Sequence, residues 1–449
     1  MTGCYNHFKK FVESRLSMMK RSMKGGVYVE ESKVESTIED LPVPQRLVIP
    51  LKQHKGPPCK SLLKKGKGVK IGDEIGKSED EFSAPIYATV SGKVAGLPKR
   101  FPDIRGGIAP AVEIESDGKE EWSISSSPQE PLQQNPEVLL KAIQQMGLVD
   151  FGIDAIPLST KFEFAQSKRI NTLIINGIDL EPGVSVRYKL VTEKKQELLG
   201  GIKLAKKILN VNTAYLAIEA KNTLAQEQLP GLVSGVAELA VLESKFPQGI
   251  DIFMVKAITG KEVPSPNGVP EDVGVCVLGA DTVIVLWDAL KEMRPVIDQV
   301  ITVYGAVNKP KNLRVRIGTP LKNVLSHCGV NGNIAKVIVG GPMMGLAQYS
   351  LEIPVTKEIT AIYVQRQSDL IVISDQKCIN CGWCVKVCPM GLLPNVIASF
   401  CQVDMFEEAE SYNLSYCIEC GCCAYVCPAK IPLLHWIKYG KSQLKREEQ

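Results

Sequence analysis

Eight cysteines in the last quarter of the chain repeat one spacing twice. The runs CINCGWCVKVCP at 378–389 and CIECGCCAYVCP at 417–428 both follow the pattern CxxCxxCxxxCP. Thiolates at this spacing can converge on one iron–sulfur cubane while the backbone N–H groups between them turn toward its sulfides. The doubled pattern is typical of a ferredoxin-like unit with two 4Fe-4S clusters. It predicts the following metal ligands: Cys378, Cys381, Cys384, Cys388, Cys417, Cys420, Cys423 and Cys427.

The cysteine before the proline of each run is expected to bind the cluster of the other run. This predicts one cluster on Cys378, Cys381, Cys384 and Cys427, and another on Cys417, Cys420, Cys423 and Cys388. A pair of Cys4 zinc sites is the alternative, but zinc ribbons use two CxxC pairs and have no role for a third cysteine at the same spacing. The remaining cysteines are interpreted as buried thiols: Cys4, Cys59, Cys276, Cys328, Cys401 and Cys422.

The composition limits what can surround this metal-binding unit. A chain of 449 residues is long enough for several domains, and its 45% apolar and 23% charged residues are those of a globular protein. Neither a membrane-spanning segment nor a secretory signal is evident, so we expect the protein to stay in the cytoplasm. A net charge of +4 and 6% aromatic residues argue against nucleic acid as a partner. Motifs for hydrolysis or phosphoryl transfer are also missing from the sequence.

The remaining segments suggest the elements that position the cysteines. Residues 1–25 carry six Lys or Arg and one Glu, which predicts a basic amphipathic helix on the protein's own body or on an anionic membrane or partner. Short β-prone runs between glycines follow, such as Arg46 to Pro50 and Ala84 to Val90, and predict a small β domain. Helical stretches then alternate with apolar strands up to about residue 301, which predicts an α/β unit with a parallel sheet. A second small α+β domain and a linker near Glu358 to Gln367 precede the cysteines.

Several segments, in order along the chain, resemble the C subunit of the Rnf ion-translocating electron-transport complex. They are LPVPQRLVIPLKQHKGPPCKSLLKKGKGVKIGDEIG, SAPIYATVSGKV, TLIINGIDLEPG, FPQG, TGKEVPSPNGVPEDVGV, GGPMMG and CPMGLLP. The resemblance implies a multidomain α/β and α+β protein. Its expected units are the basic segment 1–25, a barrel-sandwich β domain at 26–130, an α/β domain at 131–301 similar to the NADH-oxidising flavoprotein of respiratory complex I, a β-grasp (SLBB-like) domain at 302–357, and a helical two-cluster ferredoxin-like domain at 368–440.

The resemblance also implies partners and a cellular location. Members of this family are peripheral subunits at the cytoplasmic face of the cell membrane, and they assemble with membrane subunits and a ferredoxin-like B subunit. In bacterial members, FMN in the central fold accepts hydride from NADH and passes single electrons to the clusters.

Three loops of this chain depart from the family pattern. The family's GLGGAGFPT is replaced by DFGIDAIPL at 150–158, so that Asp150, Ile153 and Ala155 stand where backbone must approach a cofactor closely. Asp150 and Asp154 also place negative charge where a phosphate would bind. The family's PQGGE and QNVGT appear as PQGID and LGADT. These departures predict that FMN and NAD are no longer bound.

Two residues, Asn176 and Glu181, do match family positions near the flavin. Asn before Gly is also an ordinary turn pair, so this match alone does not indicate a flavin. No residue of the chain is predicted to be catalytic.

We therefore hypothesise an electron-transfer subunit of an ion-translocating oxidoreductase, a translocase of Na+ or H+. Two 4Fe-4S clusters would relay electrons from reduced ferredoxin toward a membrane acceptor, and Lys377, Lys386 and Lys430 would steer an acidic ferredoxin. Two alternatives stay open. One is an NADH-oxidising subunit that holds FMN, and the other is a structural scaffold whose clusters lie off the electron path.

Overall fold

The computed structural model describes most of the chain, namely residues 22–30, 33–123, 129–152, 155–371, 373 and 377–447. Nearly all of the predicted amphipathic helix, residues 1–25, lies outside this part. Within the described part, no helix is both long enough and apolar enough to cross a membrane.

Short antiparallel strands form the first domain, as the glycine-punctuated sequence predicts. Its sheets have the orders β2-β10-β7-β4, β3-β5-β6 and β8-β9 around a core that includes Leu47, Ile75 and Ile114. The strand expected at Arg46–Pro50 is confirmed, whereas only Ile86–Tyr87 of the second expected run is a strand. The strands are β1 (Ile38–Asp40), β2 (Arg46–Pro50), β3 (Lys60–Ser61), β4 (Gly68–Val69), β5 (Glu74–Lys77), β6 (Ile86–Tyr87), β7 (Gly92–Gly96), β8 (Phe101–Pro102), β9 (Ile108–Ala109) and β10 (Ala111–Ser116).

A parallel sheet with the order β13-β12-β11-β14 forms the centre of the second domain. Every residue of β11 is buried, because helices cover both faces of the sheet. The elements are a 3-10 turn (Pro131–Gln133), α1 (Pro136–Gln145), α2 (Leu158–Ser167), β11 (Thr172–Asn176), α3 (Val186–Glu193), α4 (Lys195–Leu209), β12 (Thr213–Glu219), α5 (Thr223–Val233), β13 (Glu238–Leu242), α6 (Asp251–Thr259), a 3-10 turn (Pro270–Val273), β14 (Val275–Gly279) and α7 (Ala280–Glu292).

The strand order of this sheet reverses between β11 and β14. From β11 the chain goes on to β12 on one side, while β14 pairs with β11 on the other side. Crevices outside the carboxyl ends of such strands are the usual ligand sites of open parallel sheets. Helix α7, which starts at this crevice, packs so closely on α4 that a Cβ atom on Gly201 would lie only 1.9 Å from the Val283 carbonyl oxygen.

The third domain is a six-stranded sheet with the order β1-β16-β15-β19-β17-β18. β1 lies in the range predicted for the first domain, yet it pairs in parallel with β16. The limits drawn between the domains from the sequence stay predictions. The elements are β15 (Asp298–Gly305), β16 (Lys311–Arg316), α8 (Leu321–Cys328), β17 (Ile334–Val339), β18 (Leu346–Ala347), β19 (Ala361–Arg366) and a 3-10 turn (Gln367–Asp369).

The interpretation of Glu358 to Gln367 as a linker is wrong. Residues Ala361–Arg366 form β19, which lies between β15 and β17 and buries Ile362 and Val364. The two strands that pair with β19 lie earlier in the chain. A pairing of this kind leaves only a weak trace in the local sequence, because strand formation depends on the packing of neighbours.

The cysteine domain is a compact group of short helices. The helix at Leu433–Glu447 packs on the helices at Pro394–Gln402 and Phe406–Ser411. The core of the domain includes Ile397, Leu414 and Ile437. The elements are α9 (Trp383–Val387), α10 (Pro394–Gln402), α11 (Phe406–Ser411), a 3-10 turn (Leu414–Tyr416), α12 (Cys422–Tyr425) and α13 (Leu433–Glu447).

An apolar cluster joins the cysteine domain to the rest of the molecule. The buried side chains of Val27, Phe246 and Cys422 form its centre, and Met343 and Ile418 pack against them. The N-terminal segment also donates a hydrogen bond from Gly26 N to the carbonyl oxygen of Val387, at 2.7 Å. The second cysteine run is therefore held against the second and third domains, and the first run is held by the N-terminal segment.

Candidate metal centres and the adjoining cavity

The two cysteine runs form loops of the same backbone conformation. The residue two positions after the first cysteine, Asn380 or Glu419, has a positive φ of 55° or 59°. The glycine after the second cysteine, Gly382 or Gly421, has a φ of 75° or 78°. Alternation between right- and left-handed backbone turns successive N–H groups toward one concave side, where anionic sulfur is favoured. In the second run, Glu419 N already donates to Cys417 Sγ at 3.4 Å.

The first cysteine cavity is lined by three thiols of the first run and one of the second. The remaining lining is mainly apolar and includes Ile379, Ile431 and Leu433. Cys378 and Cys381 are exposed, so this cavity opens on the protein surface. Its cysteines are Cys378, Cys381, Cys384 and Cys427.

The second cysteine cavity is lined by four cysteines of the second run and one of the first. Leu392, Ile397 and Ile437 contribute apolar walls. Burial raises the pKa of the Cys417 thiol to about 11, so a bound cation would have to displace its proton. The cysteines of this cavity are Cys388, Cys417, Cys420, Cys422 and Cys423, and all of them except Cys422 are predicted ligands.

The structure thus brings the eight cysteines together in the two groups that the spacing predicts. Ligation of iron by these thiols stays a prediction. Among the described residues, no three His, Cys, Asp or Glu side chains converge as they would around a single metal ion.

The other described cysteines are buried thiols, as predicted: Cys59, Cys276, Cys328, Cys401 and Cys422. Cys4 lies outside the described residues. Cys422 is the member nearest to the candidate centres, because it lines the second cysteine cavity. Its Sγ lies 4.0 Å from the Phe246 carbonyl oxygen, in the apolar cluster that joins the domains.

A cavity of about 320 Å³ lies at the crevice where the strand order reverses, and we call it the strand-end cavity. Val277 and Gly279 of β14 line it on one side, and Met344 of the third domain lines it on another. Ile418 lines both the strand-end cavity and the second cysteine cavity. One side chain therefore borders both spaces.

Charged side chains in the strand-end cavity are already paired with one another. Lys161 Nζ lies 2.5 Å from Asp150 Oδ2, and Arg187 Nε lies 3.0 Å from Asp281 Oδ1. Thr282 Oγ1 donates to the other oxygen of Asp150 at 2.7 Å. Burial disfavours the charged form of Asp150, but the Lys161 ammonium, the hydrogen bond from Thr282 and the charge of Arg187 together outweigh it and hold the pKa of Asp150 below its ordinary value. These buried ion pairs were missed from the sequence.

Asn176 and Glu181, which match family positions near a flavin, bind neighbouring loops. Asn176 Nδ2 donates to the Gly249 carbonyl oxygen at 2.8 Å. The Glu181 carboxylate accepts hydrogen bonds from the backbone N–H groups of Met343 and Met344. Both side chains therefore tie loops of the second and third domains to the end of β11.

The described residues of the strand-end cavity do not fit FMN. A flavin phosphate needs cationic or N–H donors that are free to receive it, whereas Lys161 and Arg187 are paired with carboxylates. Asp251 adds a third acid to this region, and burial raises its pKa above the ordinary value. Ile153 and Asp154 of the altered loop lie outside the described residues.

Four family models match consecutive parts of the chain. They are the RnfC barrel sandwich hybrid domain at residues 21–119, the Nuo51 FMN-binding domain at 143–288, the SLBB domain at 300–347 and the 4Fe-4S dicluster domain at 370–428. These matches confirm the predicted fold class, and they identify the cysteine domain as a 4Fe-4S dicluster domain.

Among solved structures, the chain is similar to a chain of NAD+-reducing NiFe hydrogenase in the H2-reduced state. The TM-score is 0.50 at 16% identity, and the match covers 72% of this chain. The match spans 65% of that chain. At this identity, the likeness concerns the fold alone.

Curated relatives match along nearly the whole chain. The C subunit of the proton-translocating ferredoxin:NAD+ oxidoreductase complex of Clostridium ljungdahlii is 38% identical over 95% of this chain and 94% of its own. The C subunit of the Na+-translocating ferredoxin:NAD+ oxidoreductase complex of Acetobacterium woodii is 34% identical over 94% of this chain and 97% of its own. The chain therefore belongs to the family of C subunits of ion-translocating (Rnf-type) oxidoreductase complexes.

Proposed function

We propose that this chain is a peripheral electron-relay subunit of a membrane-bound ion-translocating oxidoreductase. In this proposal one 4Fe-4S cluster binds Cys378, Cys381, Cys384 and Cys427, and the other binds Cys388, Cys417, Cys420 and Cys423. The carrying observation is the grouping of these eight thiols around two mainly apolar cavities, each lined by three of the predicted ligands from one run and one from the other. In two-cluster ferredoxins, each run of cysteines likewise supplies three ligands to one cluster and one ligand to the other.

Electrons enter from reduced ferredoxin and leave toward an acceptor in the membrane, while membrane partners move Na+ or H+. The names of two curated relatives, which are subunits of ferredoxin:NAD+ oxidoreductase complexes, support ferredoxin as the donor. We further propose that the chain sits at the cytoplasmic face of the membrane, next to the membrane subunits and a ferredoxin-like B subunit. The ion-pumping step belongs to those partners.

The second domain serves as a scaffold in this proposal. Lys161 and Arg187 hold Asp150 and Asp281 at the place where a cofactor phosphate would need donors. Apolar residues around Ile418 keep water away from the second cysteine cavity. The clusters supply one-electron chemistry when they are bound, and the protein orients and shields them.

The purified complex gives a direct test of the electron donor. We expect anaerobic addition of reduced ferredoxin to reduce the clusters of this chain, as followed by EPR, and we expect NADH to leave them oxidised. Rapid reduction by NADH, or clusters that stay oxidised with ferredoxin, would contradict the proposal.

An NADH-oxidising subunit with FMN is the second candidate. It is favoured by the match to the Nuo51 FMN-binding domain and by a cavity of about 320 Å³ beside the second cysteine cavity. Acid precipitation of the purified complex separates the two candidates. We expect no flavin to be released from this subunit, whereas one FMN per chain would establish the second candidate.

Cys420 and Cys422, which are separated by Gly421 alone, provide a matched test of the ligand set. We expect Cys420→Ala to lower the iron content from about eight to about four atoms per chain, because one cluster loses a thiolate. Cys422→Ala should retain about eight, since Cys422 lies outside the CxxCxxCxxxCP spacing of the predicted ligands. The measurement is iron per chain after anaerobic purification. Equal iron loss in both variants, or loss in Cys422→Ala alone, would refute the assignment.

The ion pairs of the strand-end cavity predict opposite effects for two acids. Asp150→Asn leaves Lys161 buried without its partner and should cost about 3 kcal/mol at pH 7. Asp251→Asn should be neutral or stabilising, because the burial that raises the pKa of Asp251 makes its charged form unfavourable. The measurement is the urea midpoint of each variant at pH 7 by circular dichroism.

The pH dependence of the folding stability provides a second test of the Lys161–Asp150 ion pair. Since Lys161 holds the folded-state pKa of Asp150 below its unfolded value, the stability that Asp150 contributes is full above about pH 4 and is lost as the pH falls through the folded-state pKa. The difference between the wild type and Asp150→Asn should therefore shrink only in strongly acidic buffer. A difference that is already small at pH 7 would show that the pair does not stabilise the fold.

A further inference from the structure

The mouth of the first cysteine cavity is both apolar and basic. Ile379 is 64% exposed and Trp383 is 58% exposed, and both adjoin or line the cavity. Three exposed lysines stand next to lining residues or on helix α9, one turn beyond Trp383. We define the first-cluster face by these residues and the exposed proline between them: Lys377, Ile379, Trp383, Lys386, Pro428 and Lys430.

The lysines of this face differ from those elsewhere in the same domain. Lys441 Nζ lies 2.9 Å from Glu419 Oε1, and Lys438 Nζ lies 3.9 Å from Glu419 Oε2. In the described part of the chain, by contrast, no ion pair involves Lys377, Lys386 or Lys430. Three such cations attract an acidic surface, and they do so most strongly at low salt.

The apolar residues add a second property. A large aromatic side chain at the centre of a patch with a charged rim is typical of the residues that dominate binding energy in protein interfaces. Removing the exposed Trp383 and Ile379 side chains from water is favourable, so a partner that covers them would gain binding free energy.

The two cysteine cavities differ in how a partner can reach them. Cys378 and Cys381 of the first cavity are exposed, whereas Cys420 and Cys423 of the second are buried, and Cys420 belongs to the apolar cluster that joins the domains. Electron tunnelling weakens steeply with distance, so a soluble donor reaches the first cavity most directly.

We propose that the first-cluster face docks a small soluble ferredoxin whose own cluster is surrounded by carboxylates. The inference rests on the proposed function and names the entry point of its electrons. In each encounter one electron passes from the reduced cluster of the ferredoxin to the oxidised cluster at Cys378, Cys381, Cys384 and Cys427. The ferredoxin leaves oxidised, and no atom or proton is transferred.

Charge reversal tests this face with a matched control. The variant Lys377→Glu, Lys386→Glu, Lys430→Glu is compared with Lys64→Glu, Lys65→Glu, Lys67→Glu, which changes the net charge equally on the exposed turn between β3 and β4 of the first domain. Both are assayed in the assembled complex by stopped-flow reduction with a photoreduced, acidic two-cluster bacterial ferredoxin. Iron content and the EPR spectrum show that the clusters are intact in each variant.

We expect the second-order rate constant at low salt to fall about tenfold or more in the face variant and to stay within about twofold in the control. Trp383→Ala should slow reduction at low and high salt alike, since it removes an uncharged contact. Equal rates in the face variant and the wild type would overturn the docking site while leaving the relay function intact. Failure of ferredoxin to reduce even the wild type would instead refute the relay function.

Lysine acetylation of the assembled complex decides whether the face is free. Without ferredoxin, Lys386 should be modified as readily as Lys64, and addition of ferredoxin should protect Lys386 but not Lys64. Protection of Lys386 before ferredoxin is added would assign the face to a neighbouring subunit and overturn the proposal.

Discussion

In each of the two cysteine cavities, three of the predicted ligands come from one cysteine run and the fourth comes from the other run. Cys427 faces the first cavity, and Cys388 faces the second, so neither set of four exists until the whole cysteine domain has folded. The helices between the runs, α10 and α11, must bring the chain back on itself, and they do so by packing against α13. A closed set of ligands therefore depends on tertiary structure as well as on local spacing, and metal binding would stabilise that structure in turn.

The surroundings of the two cavities give the domain a direction. The first cavity opens to solvent between lysines and exposed apolar residues, while Ile418 and the apolar cluster around Val27 and Phe246 hold the second against the other domains. Beyond Ile418, the fold retains a crevice where its parallel sheet reverses order. There, the pairs Lys161–Asp150 and Arg187–Asp281 use charges that a cofactor phosphate would need. The same fold can thus keep its scaffold while its cofactor site changes.

The sequence predicted the features whose signal is local. The cysteine grouping follows from a spacing within twelve-residue runs, and strands such as Thr172–Asn176 follow from continuous apolar residues. Features that join distant residues were missed. Arg187 and Asp281 lie 94 residues apart, β19 pairs with earlier strands, and β1 adds to a sheet formed mostly by residues beyond 297. The boundary between α3 and α4 was also missed: the two helices meet at Lys194, whose φ of −118° and ψ of 46° are not helical.

Spin quantification by EPR on the anaerobically purified, fully reduced chain tests the central claim most directly. Two 4Fe-4S clusters in adjoining cavities predict about two unpaired spins per chain, with signals broadened by magnetic coupling between the clusters. A spectrum without a cluster signal, together with stoichiometric zinc, would contradict the account.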